Sequence, residues 1–191
     1  MSDLPPITAS AIINLEPMTL RASATVHSPI PDDHPYFSLI GRVTARWAML
    51  ETVLDYCIWK ADGRDNATAS TETATLIGAS PRFALLKKKL QAKEQLPRYE
   101  AAITALASSV DACRRGRNRV THDAWYIGEN GIAQQLRQQN AKVALSFGFT
   151  DVPEAQFHTL FSEIDAAIDL GWKLFRALHH ETTGPHKPVS A

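Results

Sequence analysis

Residues 35–61 read PYFSLIGRVTARWAMLETVLDYCIWKA and carry apolar side chains alternately four and three positions apart. This spacing places them on one face of an α-helix, which has about 3.6 residues per turn. Pro35 suits the first turn of a helix, and Asp32 or Asp33 can cap it. The sequence therefore predicts a long first helix that buries one face against other helices. Its apolar positions are Tyr36, Ile40, Val43, Trp47, Leu50, Leu54, Cys57 and Ala61.

The same spacing recurs in two later segments, one opening at Pro97 and one just after Pro153. Shorter helices are predicted over residues 71–77 and after Ser80. Before the last helix, strand-like stretches flank the turn signal Glu129-Asn130-Gly131. We therefore expect a mostly α protein, a bundle of four to five helices with a small β-hairpin or meander before the last helix.

Composition predicts three segments along the 191 residues. Residues 1–34 are punctuated by prolines without a sustained period, which is typical of a mobile or surface-draped arm. Residues 35–180 form the predicted helical domain, and residues 181–191 are predicted to be a tail.

The net charge and the number of cysteines limit which kinds of function and which cell compartment we expect for the protein. The formal net charge is zero, so no overall basic field draws nucleic acid to the protein. The two cysteines, Cys57 and Cys113, are far apart in sequence and favour a reducing compartment over a disulfide framework. Neither a signal peptide nor a membrane-spanning run is recognisable, so we expect a cytoplasmic protein that does not enter a membrane. The sequence predicts no cofactor and no metal site.

One position breaks the apolar stripe of the helix that opens at Pro97. The stripe runs through Tyr99, Ile103, Leu106, Val110 and Cys113, and its next step falls on Arg117. Asn118 and His122 follow, four residues apart and therefore on one helix face. Arg117 is about 100° round from Asn118, within reach of the same point for a long side chain.

A guanidinium, an amide and an imidazole in one small volume suit chemistry on a phosphodiester. Imidazole moves protons near neutral pH, and a guanidinium offers a planar fork to phosphate oxygens. We therefore take Arg117, Asn118 and His122 as candidate catalytic residues.

The string Arg117-Asn118-x-x-x-His122 at the end of a long helix resembles the signature of the HEPN superfamily. That motif is an Arg, a spacer of four to six residues and a His, often with a polar residue directly after the Arg. The first helix, with Trp47, Leu50-Glu51 and Leu54, also resembles the opening helix of bacterial members. The resemblance covers roughly residues 35–180.

The resemblance implies a helical bundle that dimerises with two motifs facing each other, and metal-independent endoribonuclease activity. His122 would activate the ribose 2′-hydroxyl, Arg117 would stabilise the phosphorane, and Asn118 would position the scissile group. It also implies a toxin or defence role, with an antitoxin or regulatory protein as partner. The sequence departs from HEPN toxins controlled by a nucleotidyltransferase, because Ala124 stands where these often carry a tyrosine.

Other readings remain open. The protein could be a non-catalytic HEPN-like bundle that binds nucleotide, RNA or a partner protein, or an unrelated helical interaction protein. Arg117 could be structural, and His122 could cap the helix by favouring its dipole. The candidate RNA-binding residues around the motif are Arg114, Arg115, Arg119, Trp125 and Tyr126. The acids Glu51 and Asp55 are predicted to support the arginine cluster as ion-pair partners.

Overall fold

The computed structural model describes residues 10–12, 21–23, 28–129, 131–140 and 145–182. These residues form five α-helices, a two-stranded sheet and a four-stranded sheet, both antiparallel. The prediction of a mostly α fold with a small meander before the last helix is confirmed. The helices are α1 Pro35–Asp62, α2 Asn66–Thr73, α3 Ala79–Gln91, α4 Leu96–His122 and α5 Glu154–Thr182. The strands are β1 Ser10–Ile12, β2 Arg21–Ser23, β3 Ser28–Pro29, β4 Trp125–Ile127, β5 Ala133–Asn140 and β6 Leu145–Asp151.

Backbone proximity divides the described part of the chain into two compact units. The sheet unit comprises the described residues up to Arg42 together with Asn118–Thr159. The helical unit comprises Val43–Arg117 and the described residues from Leu160 onward. None of the helices in the described ranges combines the length and the apolar character that crossing a membrane requires.

The apolar stripes predicted for the long helices form the core of the helical unit. On α1, Val43, Leu50, Leu54 and Cys57 are fully buried. On α4, the buried stripe runs from Tyr99 to Cys113, as the spacing predicts. Burial of these faces removes apolar surface from water, which is the main favourable contribution to folding.

Helices α1 and α5 pack closely at a glycine. A Cβ atom on Gly171 would lie 2.7 Å from Cγ1 of the buried Val53, so only glycine fits at this crossing. The thiol of Cys57 donates a hydrogen bond to the Gly171 carbonyl at 3.6 Å. The glycine therefore sets how near the two helices approach.

A buried ion pair joins α1 to α3. Arg82 is only 8% exposed, and its Nε donates to Oδ1 of Asp55 at 2.8 Å. The same guanidinium donates to the carbonyl oxygens of Leu76 and Gly78 in the turn before α3. A buried arginine is tolerated when it has such partners, because they replace the water lost on burial.

The sheet unit is built around the strand order β3-β4-β5-β6. Strands β4, β5 and β6 form the predicted meander, while Ser28–Pro29 of the predicted arm pairs with β4 as an edge strand. Tyr36, at the start of α1, donates its hydroxyl to the Val152 carbonyl at 2.7 Å. The parts of the arm at residues 1–9, 13–20 and 24–27 lie outside the described residues, as do residues 183–191 of the predicted tail.

Two short helices begin earlier than the sequence predicts. Helix α3, expected after Ser80, begins at Ala79 with Gly78 at its N-cap. The short helix expected over residues 71–77 is α2, which begins earlier at Asn66 and ends at Thr73. Asp65 caps it, since its carboxylate accepts from the Thr68 backbone N–H at 2.9 Å. A side chain that satisfies an otherwise unpaired N–H fixes where a helix begins.

Candidate functional site

The last turn of α4, which carries Asn118 and His122, is held by the sheet that follows it. The final carbonyls of a helix lack partners within the helix. Here the Arg119 carbonyl accepts from Nε2 of Gln135 at 3.1 Å, and the Val120 carbonyl accepts from Nε1 of Trp125 at 3.0 Å. Two side chains from β5 and β4 therefore fix the position of this helix end.

Asn118 and His122 both lie on the surface of the sheet unit. Both side chains are exposed, and helical geometry places them one turn apart on one face. The helix continues without a break through both residues, because α4 ends only at His122. An amide and an imidazole are thus accessible to solvent at a rigid position.

Arg117 belongs to the helical unit and packs on an aromatic ring. It is half-buried, and its Cζ atom lies 5.2 Å from the ring centroid of Trp47. Trp47 is 4% exposed and donates its Nε1–H to Oε1 of Glu51 at 2.8 Å. A guanidinium over the face of an indole is attracted by the negative charge of the ring face. The apolar stripe would place a core residue at position 117, but the residue there is an arginine whose guanidinium packs on the Trp47 ring.

The two acids predicted to support the arginines both have partners within the helical unit. Glu51 accepts from Nε1 of Trp47, the residue on whose ring Arg117 packs. Asp55 pairs with Arg82. Burial raises the pKa of the Asp55 carboxyl above its ordinary value, and the hydrogen bond and charge of Arg82 offset part of that rise.

The predicted RNA-binding arginines lie on exposed surface of α4. Arg114 pairs with Asp111, three residues before it, at 3.1 Å. Arg115 and Arg119 are exposed. Arg119 is in the last turn of the helix, beside the residues of the motif.

Sequence reasoning missed a further cation, Arg137 on β5. Side chains two apart on a strand share a face, so Arg137 lies on the same side as Gln135. Its Nη2 donates to Oε1 of Gln135 at 3.0 Å, while Nε2 of the same amide binds the Arg119 carbonyl. Burial lowers the pKa of Arg137, the positive charge of Arg119 lowers it further, and the negative charge of Asp123 offsets part of that fall. A bound anion beside the two guanidiniums would add to the effect of Asp123 and relieve more of the repulsion.

The two aromatic residues after the motif are engaged in packing. Trp125 stacks on Phe157, with ring centroids 5.7 Å apart, and it meets Tyr36 edge to face. Tyr126 lies on the opposite face of β4 and contacts Phe149 edge to face at 5.2 Å. Both rings remain half-exposed, so each still presents part of its surface to solvent.

The sheet unit holds the kinds of group that recognise a phosphate ester, namely donors from Asn118, Arg119 and Arg137 and the imidazole of His122. Within the described ranges, no group of three or more histidine, cysteine, aspartate and glutamate residues is placed to hold a metal ion.

Comparisons of the chain with protein-family models, with curated proteins and with solved structures found no match.

Proposed function

We propose that the protein is a metal-independent endoribonuclease of the HEPN type, with its site at the end of α4. The observation that supports this most is the exposed pair Asn118 and His122, one helical turn apart, on the unit that also holds Arg119 and Arg137. An accessible imidazole beside concentrated positive charge is what cleavage of an RNA backbone needs.

The positive charge has a local source although the whole chain is neutral. Arg119 and Arg137 come from different elements, α4 and β5, and the Gln135 amide ties the two elements together. Guanidiniums bind phosphate oxygens through charge-assisted hydrogen bonds that are about twice as strong as neutral ones. We assign both residues to the RNA backbone, where they position the substrate without reading its sequence.

In the proposed reaction His122 takes the proton of the ribose 2′-hydroxyl, and the freed oxygen attacks the adjacent phosphorus. The bond from phosphorus to the 5′ oxygen breaks, and that oxygen takes up a proton from water. The products are a cyclic phosphate and a 5′-hydroxyl. Asn118 holds the scissile group, and the resemblance gives Arg117 the role of stabilising the charge on the phosphorane.

The test is cleavage of a mixed RNA pool in EDTA, with products analysed for cyclic phosphate ends. We expect cleavage by the full chain and a loss of at least about a hundredfold in His122→Ala, the size of a general base contribution. The matched control is His158→Ala, which removes an exposed histidine of α5 in the same unit and should keep full activity. Equal loss in both variants, or intact RNA at high protein concentration, would contradict the nuclease.

The arginine pair gives a second, separable readout. Arg137→Gln should raise the KM for RNA about tenfold with a smaller change in kcat, because its contacts are to the backbone. Arg176→Gln, on the exposed side of α5, is the matched control. RNA that binds in an Arg137-dependent way without being cleaved would leave the non-catalytic binding protein as the function.

The same resemblance leads us to propose a cytoplasmic homodimer with a toxin or defence role. Sedimentation of the purified chain should give twice the monomer mass. Expression should slow growth of the host cell, and His122→Ala should abolish that effect. A monomer, or toxicity that survives the substitution, would remove these parts of the proposal.

A further inference from the structure

A second candidate site lies in the helical unit, in residues that the motif does not include. A cavity of ≈ 410 Å³ is lined by aromatic side chains of α1 and α5 and by polar groups of α1, α2 and α5. Below, the aromatic cavity means the space lined by Tyr56, Trp59, Lys60, Asn66, Trp172, Phe175 and His179. Its volume lies within the range of about 300–1,000 Å³ that is typical of small-molecule sites.

The aromatic rings that line the cavity contact one another edge to face or at a tilt. Tyr56 contacts Trp59 edge to face at 5.3 Å and is tilted by 43° to Trp172 at 5.9 Å. Trp172 in turn contacts Phe175 edge to face at 5.6 Å. Such edge-to-face and tilted packing is the usual arrangement of aromatic pairs, and all four rings line the cavity.

The rings are available because none of them is fully buried. Tyr56, Trp59, Trp172 and Phe175 are all half-exposed. The polar edge of Trp59 is already used, since its Nε1–H donates to the Thr73 hydroxyl at 3.0 Å. What Trp59 still offers is therefore apolar ring surface, which favours a flat aromatic group as occupant.

The polar lining consists of Lys60, Asn66 and His179, and among the described residues it contains no carboxylate. Lys60 is in the last turn of α1, one helical turn from Tyr56, and Asn66 is the first residue of α2. An ammonium and an amide on the wall of an aromatic cavity suit a ligand with a carboxylate or a phosphate. The rings suit an aromatic group and these polar groups suit an anionic one, so the cavity favours a small molecule that carries both.

We propose that the aromatic cavity binds a flat aromatic ring that carries an anionic group. An aromatic acid and a nucleoside monophosphate share this chemistry. The site is independent of the end of α4, and its occupancy would link the protein to a small molecule as well as to RNA.

The test is to titrate small-molecule probes into the full chain and to measure binding by calorimetry and by tryptophan fluorescence. The probes are AMP and phenylacetate, their uncharged matches adenosine and phenylethanol, and inorganic phosphate alone. We expect AMP or phenylacetate to bind at least about tenfold more tightly than its uncharged match, from the added charge-assisted contact. Whichever of the two binds identifies the ligand source.

Variants locate the binding. Lys60→Gln should remove the about tenfold advantage of the anionic probe, while Lys87→Gln, on the exposed face of α3, should keep it. Trp172→Leu should weaken the charged and uncharged probes alike, by about tenfold for one lost stacking contact. Circular dichroism of each variant shows whether it is folded, and Lys60→Gln changes no buried residue.

Three results with the wild type and the cavity variants would overturn the proposal, and a fourth comes from Arg137→Gln. The first is no preference of the wild type for either anionic probe, and the second is binding that Lys60→Gln and Trp172→Leu leave unchanged. The third is a dimer that dissociates in Trp172→Leu while no probe binds, which would make a second copy of the chain the occupant. Loss of probe binding in Arg137→Gln alone would place the anion at the end of α4 and also contradict the aromatic cavity.

Discussion

Replacing Gly171 by alanine tests how closely α1 and α5 are packed. The new Cβ would lie 2.7 Å from Cγ1 of Val53, well inside an ordinary carbon contact of about 3.5–4.0 Å. Val53 is fully buried and β-branched, so it has one strongly preferred rotamer in a helix and cannot simply turn away. The overlap of about 1 Å must therefore be relieved by a shift of one helix.

The expected magnitude follows from two opposing effects. Overpacking a core position costs about 1–3 kcal/mol. Alanine in a helix interior recovers about 1 kcal/mol relative to glycine. The net loss in the free energy of unfolding should therefore be about 1 kcal/mol and reach about 2 kcal/mol if the helices are held rigidly.

Gly41 of α1 provides the matched control, because a Cβ there would meet nothing within 4 Å. Gly41→Ala should raise the free energy of unfolding by up to about 1 kcal/mol, through helix propensity alone. Urea unfolding followed by circular dichroism measures both variants, and the difference between them isolates the steric effect. In Gly171→Ala, a second substitution, Val53→Ala, should cost less than it does in the wild type. If Gly171→Ala were as stabilising as Gly41→Ala, the close approach of the two helices would be refuted.

Three further predictions concern charges and thiols. Burial raises the pKa of Cys57 to about 12 and is the main cause that raises the pKa of Cys113 to about 11. Neither thiol should therefore react with a disulfide reagent at neutral pH until urea unfolds the chain. Rapid reaction of the native protein would contradict their burial. Asp55→Ala leaves Arg82 buried without its carboxylate and should lower the free energy of unfolding by about 3 kcal/mol or more. Asp111→Ala, which breaks an exposed pair, should lower it by at most about 0.5 kcal/mol. Similar urea midpoints for the two variants would show that the buried pair is not needed for stability. Burial alone would raise the pKa of Asp62, but the hydrogen bonds from Arg64 and Lys89 outweigh it and lower that pKa. The carboxylate therefore stabilises the fold above its unfolded pKa of about 4 and loses this effect as pH falls through the lower folded value, so thermal unfolding of Asp62→Asn should depend less on acid than that of the wild type.

The local sequence predicts the helices because their signal lies within one element. The stripes on α1 and α4 are each read from neighbouring positions. The same counting finds Arg117, since it asks which residue follows Cys113 on the buried face. The exposed positions of Asn118 and His122 agree with their place at the end of that helix.

The missed features depend on residues that are distant in sequence. Strand β5 reads AQQLRQQN, with too few apolar residues to indicate a strand, and it forms because β4 and β6 pair with it on both sides. Arg137 becomes a candidate only once that pairing places it beside the end of α4. Arg82 is similar, because its ion-pair partner Asp55 is on another helix. The aromatic cavity also requires residues of three helices, and none of these helices indicates it alone.

The alternation of side chains along β5 has a consequence for how the protein can change over evolution. Gln135, which anchors the helix, and Arg137, which adds charge, occupy the same side of one strand. Adding or removing a single residue in the short connection at 128–132 would shift the strand by one position and carry both side chains to the opposite side together. The hydrogen bond to the end of α4 and the positive charge beside it would then be lost together. Point substitutions can therefore adjust the proposed site gradually, whereas a change in loop length would abolish it.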